Sequence, residues 1–177
     1  MKEALKPVSA LLVSVAILLT GQGLQGTLLP IRASVESFST TSIGLMGAAY
    51  FFGFTIGCLL GVHLVKRVGH IRVFLAMTAI ASTTALIHAL ILYSWFWIFM
   101  RMLTGFCFAV LFVVIESWVN NRSSNENRGV IFSVYVMITL SVQAVGQFLM
   151  LLYEPDGIEL FAIVSILVTI AAIPIAL

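Results

Sequence analysis

Residues Phe96 to Val119 read FWIFMRMLTGFCFAVLFVVIESWV, an apolar run broken by Arg101 and, near its end, by Glu116. Crossing a bilayer core takes about 20 apolar residues of helix, and this run is long enough. An arginine deep in a span costs roughly 2.5–3.5 kcal/mol on insertion scales. Arg101 is therefore expected to face a protein interior or a wet cavity rather than lipid.

Working outward, five more runs of similar length surround it. The expected spans are about 8–29, 43–65, 71–93, 96–119, 130–152 and 158–177. Of 177 residues, 61% are hydrophobic and 9% charged, and the mean hydropathy is +1.14. A soluble domain does not have this composition. The chain reads as one all-α transmembrane domain over residues 1–177, with the lipid bilayer as its solvent and no long linker or low-complexity stretch. A net charge of +2 gives no footing for nucleic acid.

The charges suggest an orientation. Lys2, Lys6, Lys66, Arg67, Arg72, Arg122 and Arg128 fall on one side of a six-span arrangement. Arg32, Glu36, Glu154, Asp156 and Glu159 fall on the other. The positive-inside rule puts the basic side, with both termini, in the cytoplasm. The start, MKEALKPVSALLVSVAILL, has the basic region of a signal peptide, but its apolar run continues through Leu29, so a retained first span is expected. Cys58 and Cys107 lie within spans and have no metal-ligand spacing. No cofactor, metal cluster, phosphate loop or nucleophile–base set is apparent, which makes an intramembrane enzyme the weakest class.

Local signals refine the picture. Pro30 is expected to end span one, with PIRASVESFSTTS crossing the outer face and Ser94-Trp95 as a minimal outer turn. Trp97 and Trp118 lie a membrane thickness apart on one helix, roughly 30 Å, and read as interfacial anchors. In span two, Ala49, Gly53, Gly57 and Gly61 recur every four residues and form a groove for a close helix partner. The stripe alone leaves open whether that partner lies within the chain or outside it. Span one carries Gly21, Gly23 and Gly26 among Gln22, Gln25 and Thr27. It is either a bent, cavity-lining helix or one that binds its neighbours through amides.

At the turn GVHLVKRVGHIR (61–72) and at RMLTG (101–105) the chain resembles the major facilitator superfamily, whose members have twelve spans in two six-helix halves. Gly61, Arg67, Gly69 and Arg72 match its loop signature, and Lys66 stands where an acidic residue is usual. Arg101 and Gly105 are similar to its span-four signature, associated with proton coupling. TLLPIRA, IGLMGAAYFFGFTIGCLLG, VKRVGHIRVF, the stretch from Arg101 to Gly129 and VGQFLML resemble the bacterial YcaD-like branch. The span-five proline-glycine signature of drug antiporters is absent from VQAVGQ (142–147). The resemblance implies the N-terminal six-helix half of such a fold, a 3+3 inverted repeat. It also implies a secondary, proton-linked carrier of a small solute in the bacterial inner membrane, working with a second six-helix half.

On this reading Arg101, Gly105 and Glu116 serve transport and coupling, while Gly61, Lys66, Arg67, Gly69 and Arg72 form a gating loop. Gln22, Gln25, Arg32, Tyr135, Gln143 and Gln147 are possible cavity-lining residues, and Gly53, Gly57 and Gly61 pack helices. Arg101 can act functionally, on a carboxylate's proton affinity or an anionic solute, or structurally by snorkelling. Glu116 can latch to the basic turn or form a modest interfacial pair. His63 and His88 are minor proton-carrier candidates. The length leaves three readings: a piece of a twelve-span carrier, a half-size carrier acting as a homodimer, or a non-transporting partner-binding module.

Overall fold

The computed structural model describes residues 9–176, so Lys2 and Lys6 of the basic N-terminus lie outside the described residues. The described chain is helical: α1 (Ser9–Val35), α2 (Thr40–Val68), α3 (His70–Leu90), α4 (Ser94–Arg122), α5 (Arg128–Phe148), α6 (Glu159–Ile170) and a last turn, α7 (Ile173–Ala176). A 3-10 turn, Leu149–Leu152, extends α5. By length and composition these elements make six spans able to cross a membrane. That agrees with the all-α, six-span fold read from the sequence.

The boundaries differ from expectation in instructive places. Pro30 does not end span one, because α1 runs through it to Val35. Proline costs one backbone hydrogen bond, and in a bundle neighbouring helices restore the loss through packing. Here Leu28, Leu29 and Ala33 are fully buried around it. Ser94-Trp95 is not a turn either; Ser94 begins α4 and the connection is Ile91 to Tyr93. Between α2 and α3 one residue suffices. Gly69 adopts φ +94°, a conformation that a side chain makes costly, and its N–H closes on the Val65 carbonyl. At the other end of α2, the Ser39 hydroxyl accepts from the Ser42 N–H at 3.1 Å and caps the helix.

Trp97 is not an interfacial anchor. It is fully buried, T-shaped against Phe38, His88 and Phe161, and its indole N–H donates to the Ile91 carbonyl at 2.7 Å. Trp95 is the exposed tryptophan at that end, at 78%. Trp118 is half-buried and tilts against His70, which pairs with Ser117 at 3.1 Å.

Packing follows an exchange rule. The main contacts are α1 with α5 and α6, α4 with α2 and α3, and α3 with α6. Swapping α1–α3 for α4–α6 returns the same pattern, as an inverted 3+3 repeat demands. The groove on α2 finds its partner within the chain, in α4. A Cβ on Gly53 would strike the Met102 carbonyl, one on Gly57 would come within 2.6 Å of the Phe106 carbonyl, and one on Gly61 would press Val113 at 3.3 Å. Gly105 reciprocates, backed against the Tyr50 carbonyl. Across the molecule, Gly23 meets the Gln143 backbone and Gly146 the Thr20 carbonyl, so α1 and α5 interlock likewise. Small residues let backbones approach where water supplies no hydrophobic drive. At the rear, Ser82 on α3 bonds Ser165 at 2.7 Å and Thr169 at 2.8 Å on α6. The front is open: α2 and α5 are the least buried spans, exposing Phe51, Phe52, Leu59, Met137, Leu140 and Phe148.

Candidate functional site

The two interlocked pairs, α1 with α5 and α2 with α4, leave a cavity between them of about 330 Å³. It lies nearer the α1–α2 connection than the basic turns. Gln22, Gly23, Gln25, Gly26 and Thr27 of α1 line it with Gly47, Tyr50 and Phe51 of α2, Arg101 of α4, and Gln143 and Gln147 of α5. A pocket of this size is at the lower end for small-molecule sites, about 300–1,000 Å³.

A chain of polar contacts joins all four helices across it. The Gln143 amide donates to Gln22 Oε1 at 3.2 Å, and the Gln22 amide donates to the Tyr50 hydroxyl at 2.8 Å. The Arg101 guanidinium lies over the Tyr50 ring, 4.3 Å from its centroid. Such a cation on an aromatic face is worth roughly 0.5–2 kcal/mol. It occupies the guanidinium face and leaves the planar edge of donors unused. Among the described residues Arg101 has no ion pair, and no carboxylate lines the cavity. Gln25, 2% exposed, has an amide nitrogen without a hydrogen-bond partner. An unsatisfied buried donor of this kind costs about 1–3 kcal/mol, which a ligand or water can recover.

The residues singled out from the sequence fall into separate groups. Arg101, Gln22, Gln25, Gln143 and Gln147 meet at the cavity, and Gly105 sets the α4–α2 spacing behind it. Arg32 does not reach it. That side chain pairs with Glu36 at 2.7 Å and donates to the Pro155 carbonyl at 3.0 Å, tying the α1 end to the α5–α6 connection. Tyr135 is also elsewhere, buried toward the basic end of α5. Glu116 is exposed, about four turns from Arg101 along α4, roughly 22 Å.

Lys66, Arg67 and Arg72 are exposed around Gly69, and Glu116 forms no ion pair with them among the described residues. The structure thus holds two stations, an amide-and-arginine cavity and a charged turn with one carboxylate. His63 is exposed, whereas His88 is buried with Nδ1 against the Thr84 carbonyl at 2.5 Å. Sequence reasoning missed Tyr50, Gly47 and Phe51. The available signal was Tyr50 three residues before Gly53, on the face that approaches α4.

Comparison with known proteins agrees with this architecture. A sequence model described as Major Facilitator Superfamily matches residues 11–177. A protein of Escherichia fergusonii named "Uncharacterized MFS-type transporter YcaD" is 26% identical over 170 residues, covering 96% of this chain and 44% of the relative. Its namesake in Escherichia coli O45:K1 is 28% identical over 144 residues, covering 81% of this chain and 38% of the relative. The chain thus spans less than half the length of these relatives. No solved structure matches significantly. With six apolar spans, an interlocked inverted arrangement and a family match over nearly its full length, the chain belongs to the Major Facilitator Superfamily.

Proposed function

We propose that the chain is one six-helix half of a secondary transporter for a small solute, working by alternating access with a second half in the same or a separate chain. The observation that carries this reading is the polar chain Gln143–Gln22–Tyr50–Arg101, which links four helices around a cavity on the open face. Polar and charged groups inside a membrane bundle are costly and mark pathways. The interlocked pairs favour rigid-body rocking, since helices packed backbone to backbone move together. The open face of α2 and α5 is where the second half docks. The basic turn around Gly69 lies in the cytoplasm with both termini, in the bacterial inner membrane, and gates the closed end with Glu116. Proton linkage is assigned to Arg101 and Gly105.

The test uses protein purified from its native membrane with any half that co-purifies. Proteoliposomes containing a pH-reporting dye are challenged with small organic acids, amides and amines. Solute-dependent proton movement is expected from wild type and lost in Arg101→Gln at equal incorporation. Solute flux without proton movement removes the linkage and keeps the carrier. Flux unchanged in Arg101→Gln removes Arg101 from the path.

A further inference from the structure

The cavity holds donors without a protein partner among the described residues. Arg101 offers the edge of its guanidinium, since the Tyr50 ring covers one face and, among the described residues, no ion pair occupies the rest. Tyr50 accepts from Gln22, and its own O–H makes no hydrogen bond to protein among the described residues. Gln25 lines the space too, and its amide nitrogen is buried and has no hydrogen-bond partner among the described residues. The acceptor on Gln22 is already used by Gln143. Among the described residues no aspartate or glutamate lines the space, and the formal charge there is that of Arg101.

A cation would meet Arg101 unscreened, and a neutral apolar solute would strand three donors. A planar carboxylate satisfies them: its two oxygens match the guanidinium fork and have further lone pairs for a hydroxyl and an amide. We infer that the cavity beside Arg101 takes a small organic carboxylate, with Arg101 as its anchor and Tyr50 and Gln25 as supporting donors. The inference rests on the carrier reading and names its substrate class. Cation coupling through a carboxylate of a second half is the competing use of Arg101. It differs in requiring no anion affinity.

Two measurements separate the claims. The first is thermal stability of the purified protein with succinate, acetate or benzoate, against succinamide, acetamide or benzamide at equal ionic strength. Stabilisation by at least one acid over its amide is expected. Arg101→Gln should weaken that response about 10- to 100-fold in apparent affinity, Gln25→Leu about fivefold, and Arg101→Lys less than Arg101→Gln. The second is counterflow of the same radiolabelled acids and amides in proteoliposomes. Acid binding with acid counterflow supports both claims. Counterflow of amides alone overturns the carboxylate assignment and leaves a carrier. Acid binding that depends on Arg101 without counterflow of any probe overturns the carrier reading and leaves the anion site. A folded protein that binds no acid, or whose acid binding survives Arg101→Gln, overturns the inference.

Discussion

The α1–α5 seam and the α2–α4 seam occupy equivalent places in the inverted repeat, yet they are chemically unlike. Both use glycine to bring backbones into contact, Gly23 with Gly146 on one side and Gly53 and Gly57 with Gly105 on the other. Across the first, two glutamines share a neutral amide hydrogen bond. Across the second, a guanidinium rides on a tyrosine ring. The backbone scheme is symmetric and the side chains are not. Symmetry builds the frame, and the cavity takes its charge from one seam alone.

The sharpest way to break the comparison is to fill the notches. Gly53→Ala and Gly105→Ala each drive a Cβ into a carbonyl on the facing helix, with a cost near 3 kcal/mol, the upper part of the range for overpacking. Reversible unfolding in mixed micelles should show it, together with low folded yield. Gly23→Ala and Gly146→Ala should cost about as much if the seams are mechanically equivalent. A loss below about 1 kcal/mol there would show that the amide seam yields.

Removing the side-chain chemistry comes next. Tyr50→Leu deletes both the ring under Arg101 and the acceptor for Gln22, for about 2 kcal/mol in the same unfolding assay. Tyr50→Phe keeps the ring and should lose only about 1 kcal/mol. A double-mutant cycle of Gln22→Leu and Gln143→Leu should give a coupling of about 0.6 kcal/mol, typical of hydrogen bonds between membrane helices. If that coupling exceeded the loss in Tyr50→Leu, the asymmetry drawn above would be reversed. Least of all, Gly44→Ala and Gly47→Ala face open space and should be neutral or gain up to about 1 kcal/mol from helix propensity.

Much of this architecture was legible before the structure. Span count follows from the apolar runs, and the four-residue rhythm from Ala49 to Gly61 announced a close helix contact. What the sequence could not tell was the partner. Gly53 and Met102 are remote in the chain, and a stripe of small residues carries no address. Tyr50 escaped notice for the same reason, because its role exists only once Arg101 lies above it. Pro30 and Trp97 misled in a different way. Each obeys a local rule, helix stop or interfacial belt, that tertiary packing overrode. Gln22, Gln25, Gln143 and Gln147 stood out because amides in apolar runs need partners. Arg32 and Tyr135 stood out equally, but Arg32 is held by Glu36 and the Pro155 carbonyl, and Tyr135 is buried toward the basic end of α5, away from the cavity.

The hydrogen bond from Gln143 to Gln22 joins residues 121 positions apart. A ribosome adding about 5–20 residues per second leaves roughly 6 to 24 s between their synthesis. For that interval α1 is in or beside the membrane with the Gln22 Oε1 acceptor and the Gly23 notch unmatched. The hairpin of α2 and α3, folded over Gly69, and the Tyr50–Arg101 contact can form well before α5 emerges. Of the two seams, the uncharged one is thus the later to close during biogenesis, and an insertion factor that shelters polar helix faces would hold α1 over that interval.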